Sequence, residues 1–367
     1  MTPSETLPKP KKSRDRIVSP GAVTKADEVS ASAGSGQARP TLKTIAFMTG
    51  LGVTTVSKAL KDAPDISDAT KKRIRLVADQ VGYRPNRAGV RLRTGKTNVI
   101  SLILNTEEEI LGLSSQMIGG ISDALAGTSY HLVVTPYSFK SDPMAPVRYV
   151  VETGSADGVI LSRIEPDDQR VQYLRDHKMP FVTHGQTDMG ITHAFHDYDN
   201  TAFARDAVEK LHKLGRKRLA LLGPPSRLTY AQHMRAGFLE AINKYDLHEV
   251  PLSNVTIESG IEQIAASICE FVSGPQAPDG LICGSGSAGI AAAIGLEQAG
   301  LELRREIDVI SKQSSFDMLK WFRPGLHVIS EDFREAGQDL TKKLLALLDG
   351  KDPATLQTLA YGGADRS

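Results

Sequence analysis

Cysteine is nearly missing from this 367-residue chain: only Cys269 and Cys283 occur. That excludes a disulfide framework and fits a reducing compartment, so a cytoplasmic location is expected. Long apolar runs are missing as well. Nothing approaches the roughly 18 uninterrupted apolar residues that mark a membrane-spanning helix, and no membrane partner is expected. The opening "MTPSETLPKPKKSRDR" lacks the apolar stretch of a secretory signal. Aromatic residues are few, at 5%, with one tryptophan. Trp321 and Phe322 are expected in a core or at a subdomain interface rather than as a stacking platform for a ligand. No Ser/His/Asp or Cys/His set has usable catalytic spacing, so no catalytic residue is assigned and no enzyme is expected.

What is present is an uneven distribution of charge. The formal net charge is only +1. Residues 1–39 carry seven Lys/Arg against four Asp/Glu, residues 40–97 twelve against four, and the remainder 25 against 35. A short basic module joined to a large acidic body has the electrostatic outline of a nucleic-acid binder.

Residues 1–39 are rich in Pro, Ser, Ala, Gly and Lys without apolar periodicity, and read as a disordered tail. Residues 40–85 read as three short helices. Thr41 caps the first, with Leu42, Ile45 and Ala46 inward and Gly50 ending it. The second runs from Val53 to Leu60, with Val56 and Leu60 inward. Ser67 caps a third from Asp68 to Val81, whose stripe is Ile74, Val77, Ala78 and Val81. From Val99 onward short apolar runs such as "VISLIL", "DGVILS", "KRLALLG" and "DGLICG" alternate with helical stretches. That pattern means parallel sheets covered by helices. The length predicts two α/β subdomains over residues 98–360, with ligands at the carboxyl ends of the strands. Residues 361–367 read as a tail.

Three helices within some 45 basic residues describe a helix–turn–helix. The second, "VTTVSKAL", is a poor helix former by propensity. Its polar, short side chains make sense if its exposed face meets base edges. Val53 can touch a thymine methyl, Lys58 can reach guanine or phosphate, Thr54 projects outward, and Thr55 and Ser57 lie near phosphates. The following "YRPNRAGVRLRTGKT" holds a single leucine, Leu92, among polar and basic residues, and Gly89 weakens any helix there. Residues 86–97 are therefore expected to fold only with support from elsewhere.

The stretch from Thr41 through "GYRPN" to Thr97 resembles the DNA-binding head of the lactose/galactose repressor family. The resemblance implies a homodimer on a pseudo-palindromic operator in double-stranded DNA. It also implies a hinge helix that forms on DNA and wedges Leu92 into the minor groove, unstacking a base step. Thr41, Asn86, Arg87 and Arg93 join the expected DNA contacts. Gly52 stands where the family commonly has serine, and Gly89 where alanine is common.

"HDYDNTAFARDAVEKLHKLGRKRLALLGP" and "QHMRAGFLEAI" are similar to the family's effector domain, itself similar to periplasmic sugar-binding proteins. The resemblance implies a small-molecule effector, a sugar. Arg235 matches the arginine that holds sugar hydroxyls. Ser285-Gly286 stands where the family often has Asn-Asp, Gln313 where it often has aspartate, and Glu331 where a polar pocket residue is common. A larger or differently oriented glycoside suits the Ser285-Gly286 replacement. The expected function is a repressor of carbohydrate uptake and catabolism genes released by the sugar, with an activator or a corepressor-dependent regulator of the same family left open. With no heptad segment after Asp349, a dimer is expected rather than a coiled-coil tetramer.

Two other motifs compete with this reading. "GSGSAG" at 284–289 fits the dinucleotide fingerprint G-x-G-x-x-G, which would make the chain a nucleotide-dependent enzyme. The fingerprint's acidic residue belongs at the end of the following strand, whereas Asp308 begins it. The expected role is a helix N-terminus facing the effector cleft, without a cofactor. "HAFHDYD" gathers His193, His196, Asp197 and Asp199, but nothing supplies metal geometry. The reading is a loop at a strand edge, with no metal. A transport solute-binding protein would share the cleft but has no use for residues 40–97.

Overall fold

The computed structural model describes residues 40–84, 91, 95–105, 113–138, 141–314, 319, 321 and 323–361. Contacts divide the chain into two compact units, 1–85 and 86–367.

In the first unit, α1 (Leu42–Thr49), α2 (Val53–Leu60) and α3 (Asp68–Gln80) follow the sequence signals closely. Thr41 and Thr44 form a reciprocal capping box, and Gly50, at φ 68°, ends α1 in the left-handed conformation. Gly52 leads α2 without a side-chain cap. Ser67 accepts the Thr70 amide to start α3. The three helices share one small core built on Ile45, Val56, Ala59 and Ile74, all fully buried.

The second unit contains two parallel sheets. The first has six strands in the order β11-β5-β4-β3-β1-β2, and the second five in the order β10-β9-β8-β6-β7. Along β1 (Val99–Asn105), Ile100 and Leu102 face α4 (Leu113–Leu125) and α11 (Phe333–Leu348). Ile103 faces α5 (Met144–Thr153) and α6 (Gln169–Asp176). Burial on both faces explains why the strands read as continuous apolar runs. β2 (His131–Tyr137), β3 (Gly158–Leu161), β4 (Phe181–His184) and β5 (Ala194–Tyr198) complete this sheet with β11 (Gln357–Ala360). The second sheet comprises β6 (Arg218–Leu222), β7 (His248–Glu249), β8 (Gly280–Cys283), β9 (Asp308–Ser314) and β10 (His327–Glu331). α9 (Ile261–Val272) and α10 (Gly286–Gln298) cover one face, and α7 (Asn200–Lys213) and α8 (Thr229–Lys244) the other.

Strand order and helix packing show that the chain crosses between subdomains after β5 and after β10. α11, though it follows β10 of the second sheet, packs on the first. α4 and α11 meet backbone to backbone: a Cβ at Gly120 would lie 2.0 Å from the Arg334 carbonyl, and one at Gly337 2.3 Å from that of Met117.

Three expectations are corrected. "HAFHDYD" is not an edge loop: 194–198 is β5, hydrogen-bonded between β4 and β11. Trp321 is 79% exposed, not in a core, while Phe322 lies outside the described residues. Tyr361 is not a free tail residue. Its hydroxyl donates to Asp206 at 2.5 Å and its ring meets Tyr198 edge-on. No helix among the described residues is long and apolar enough to cross a membrane.

Candidate functional site

On α2, Val53, Thr54 and Lys58 are exposed, while Thr55 and Ser57 are half-buried. The helix turns Val56 and Ala59 inward, which leaves Val53, Thr54 and Lys58 on the outer face. Lys58 does not stand alone: its ammonium donates to Asp65 at 2.6 Å, with both side chains about half exposed. That hydrogen bond holds the Asp65 carboxyl below the usual carboxylate range. Thr41 is exposed beside α1. Asn86, Arg87, Leu92 and Arg93 lie outside the described residues. Arg91 donates to the Thr153 carbonyl at 3.0 Å.

Between the two subdomains of the second unit lies a cavity of about 300 Å³. The strand ends supply its walls: Ser162 and Arg163 after β3, His184 on β4, Asp197 on β5, Lys312 and Gln313 on β9, and Glu331 on β10. Asn200 and Glu331 flank two of the points where the chain crosses between subdomains. A ligand held here therefore touches the hinge itself. Leu104, Met117, Ile164, Ile257 and Phe333 add apolar surface. A few convergent polar groups on apolar walls are the usual makeup of a small-molecule site.

Three of the four expected effector residues come together here. Ser285 caps α10, accepting the Ala288 amide at 3.2 Å, and lines the cavity with Gly284, Gly286 and Ser287. The glycine-rich segment thus forms a helix start at the cleft. Gln313 and Glu331 are both buried and line it too. Arg235 does not, and its assignment is corrected. Thr229, Ala231, Met234, Gly237, Phe238 and Ala241 form the buried stripe of α8. Arg235 is rotated one residue beyond Met234, and its guanidinium grips Glu249 through two hydrogen bonds of 2.5 and 2.8 Å.

Among the described residues, the Lys and Arg that line the cleft are instead Lys312 and Arg163, neither singled out from the sequence. The Lys312 ammonium pairs with Glu331, donates to Asn200 Oδ1 at 2.8 Å and sits 4.2 Å from the Tyr198 ring centroid. Burial would raise the Glu331 carboxyl. Lys312 and then His184, whose Nε2 is 3.5 Å away, outweigh burial and hold the carboxyl at about 2. The available signal was a lysine interrupting the apolar strand "IDVISKQ". A buried lysine needs a partner. Arg163 pairs with Glu258 across the cleft and has a left-handed backbone, φ 57°. Asp197 accepts from Gln186 at 2.9 Å.

The four residues of "HAFHDYD" have separate partners. His193 Nε2 meets Thr183 Oγ1 at 2.9 Å, His196 Nδ1 meets Asp339 at 2.7 Å, and Asp199 caps α7 through the Ala202 amide. No cluster that could hold a metal occurs among the described residues.

Comparison with known proteins gives two family matches. Residues 41–86 match bacterial regulatory proteins of the lacI family. Residues 97–358 match periplasmic binding proteins and the sugar binding domain of the LacI family. The HTH-type transcriptional regulator AglR of Rhizobium meliloti (strain 1021) is 31% identical over 316 residues, covering 83% of this chain and 86% of its own. RafR of Escherichia coli, also an HTH-type transcriptional regulator, is 28% identical over 319 residues, covering 86% and 94%. Among solved structures, the lac repressor dimer bound to operator and the anti-inducer ONPF superposes with a TM-score of 0.74 at 19% identity, covering 88% of this chain and 96% of its own. The CelR–cellobiose complex gives 0.61, also at 19%, covering 88% and 97%. At that identity these structures establish the fold alone.

Proposed function

The chain belongs to the LacI family of bacterial regulatory proteins, DNA-binding transcriptional regulators, and from that premise we propose that it represses genes of carbohydrate uptake and catabolism. In this reading it acts in the cytoplasm as a homodimer on a pseudo-palindromic operator. A neutral sugar or small glycoside in the cleft releases it. Val53, Thr54 and Lys58 read base edges and phosphates, Thr41, Thr55 and Ser57 touch the backbone, and Asn86, Arg87, Leu92 and Arg93 serve the minor-groove segment.

The observation that carries the effector reading is the pairing of charge around the cleft. Among the described residues, the Lys and Arg of the wall each have a carboxylate partner: Lys312 with Glu331, and Arg163 with Glu258. An anionic ligand would have to break a pair, which is expensive in a buried setting. A polyol instead exchanges water for hydroxyl contacts with Ser285, Gln313, Asn200 and Asp197, all at the wall. The complex of CelR with cellobiose points the same way.

Mechanistically, a ligand that binds Asn200 and Glu331 biases the angle between subdomains, because both residues border a chain crossing. By linkage, a sugar that lowers operator affinity must itself bind more weakly to the operator-bound form. The test is selection of duplexes from a random pool with full-length protein, followed by titration with neutral sugars. An inverted repeat whose binding falls with one sugar is expected. Leu92→Ala should weaken that site while leaving non-specific binding nearly intact. Absence of any inverted-repeat preference would overturn the regulator's proposed mode of binding. Strengthened binding with sugar would make the ligand a corepressor.

A further inference from the structure

The cavity is not the only space in the cleft. A second chamber of about 590 Å³ lies beyond Arg163 and Glu258, and both residues line both spaces. The two chambers therefore share one wall, and that wall is an ion pair. Its members come from different subdomains, Arg163 from the loop after β3 and Glu258 from the segment between β7 and α9. The pair is buried, the Arg163 side chain 6% exposed and that of Glu258 13%. Arg227 backs it on the outer side, reaching Glu165 at 3.1 Å and Glu258 at 3.4 Å.

The backbone is committed to this arrangement. Arg163 holds a left-handed conformation that costs an ordinary residue free energy and is met mostly where the surroundings demand it. Independently of the ion pair, Thr229 ties the subdomains together: its amide and hydroxyl both donate to the Ile164 carbonyl, at 2.9 and 3.1 Å. The pair is thus not the sole link across the cleft, and closing the subdomains does not require it.

The chambers differ in chemistry. The inner one mixes apolar walls with hydroxyl-binding groups. The outer one is strongly polar, with Glu165, Asp167, Asp168, Arg170 and Arg227. Its buried charges are paired, Arg170 with Asp168 at 2.6 Å, and Arg227 reaches Glu165 at 3.1 Å, so it too would accept a neutral hydroxyl-rich ligand. An inner volume of about 300 Å³ is at the lower end for small-molecule sites and suits about one or two sugar rings. The outer chamber has space for further rings, but the ion pair stands between.

We infer that the Arg163–Glu258 pair is a partition that confines the effector to the inner cavity and thereby sets the length of glycoside the regulator answers to. The inference rests on the sugar-effector reading given above. A longer chain must either separate two buried opposite charges or leave its extra ring outside the inner site.

The test is calorimetric binding of one-, two- and three-ring neutral sugars of the gluco and galacto series to the full-length protein. Wild type is compared with Glu258→Gln and with the double variant Arg163→Ala/Glu258→Ala. Glu258→Gln keeps size and shape, so it carries the test if the double variant does not fold. In wild type, the three-ring member is expected to bind at least about tenfold more weakly than the best shorter member of its series. In the variants that ratio should narrow to about threefold or less. A three-ring sugar that binds wild type as tightly as the shorter one, or a ratio that the variants leave unchanged, overturns the partition. Wild type that binds no member of either series overturns the sugar reading, and the partition with it.

Discussion

Lys312 on β9 and Glu331 on β10 form a buried ion pair at the floor of the cleft, one residue before the chain crosses from β10 into α11. The strands are in register so that Ile329 lies opposite Lys312 and Glu331 opposite Ser314. Two opposite charges are thereby buried where the subdomains are hinged. Asn200, beside another crossing, supplies the ammonium with a second acceptor. Burying such a pair is costly unless its hydrogen bonds are filled. A site that must respond to a polar ligand gains from polar groups already in place.

The acid limb of stability should carry the signature of this pair. Glu331 ionises at about 2 in the folded protein against an ordinary 4.5. Its folded value is depressed, so the stabilisation is fully present above about pH 5 and is lost as pH falls through about 2. At about 1.4 kcal/mol per pH unit between the two values, the contribution near neutrality is roughly 3 kcal/mol. Chemical denaturation of wild type and Glu331→Gln between pH 7 and pH 3 should give stability curves that converge as the solution becomes more acid. Parallel curves would show that the carboxylate contributes nothing through its charge.

Gly120 should tolerate no side chain. Its position on α4 is in contact with the backbone of α11, where a Cβ would sit 2.0 Å from the Arg334 carbonyl. Gly120→Ala must push the two helices apart and is expected to destabilise by about 1–3 kcal/mol or more, as overpacking does. Gly52→Ala is the control: a Cβ there meets nothing closer than 3.8 Å. Thermal melts of both variants decide it. A Gly120→Ala midpoint equal to wild type would mean that the helices are not held so closely.

The Lys58–Asp65 pair should restrain DNA binding. Asp65→Asn removes a negative charge beside a lysine on the exposed face of α2, so duplex affinity is expected to rise by a few fold at low salt. Lys58→Ala should lower affinity and flatten the slope of log affinity against log salt by about one, if the ammonium reaches a phosphate. Salt-dependent binding isotherms separate the two cases. An unchanged slope together with unchanged base preference would remove Lys58 from the interface.

The elements whose signals are local were legible from residues alone. The caps at Thr41 and Ser67, the stop at Gly50 and the stripe through Ile74 and Ala78 gave three helices in their places, because helix ends are decided within a few residues. Apolar runs located most strands. β5 was missed because His196, Asp197 and Tyr198 break the apolar run, and only pairing with β4 and β11 makes that segment a strand. Arg235 was misplaced by one position, a turn of about 100° that separates the buried stripe of α8 from its outer face.

By itself, then, the sequence determined a basic three-helix head, a two-sheet α/β body and three of the cleft residues, Ser285, Gln313 and Glu331. Each of these follows from local propensity, alternation or a match of motif. Only the tertiary structure decided which charges neutralise one another: Lys312 with Glu331, and Arg163 with Glu258 some 95 residues further along the chain. Pairing of that kind depends on distance through space in a low-dielectric interior. Residues remote in sequence acquire it only once the strand ends have been brought together.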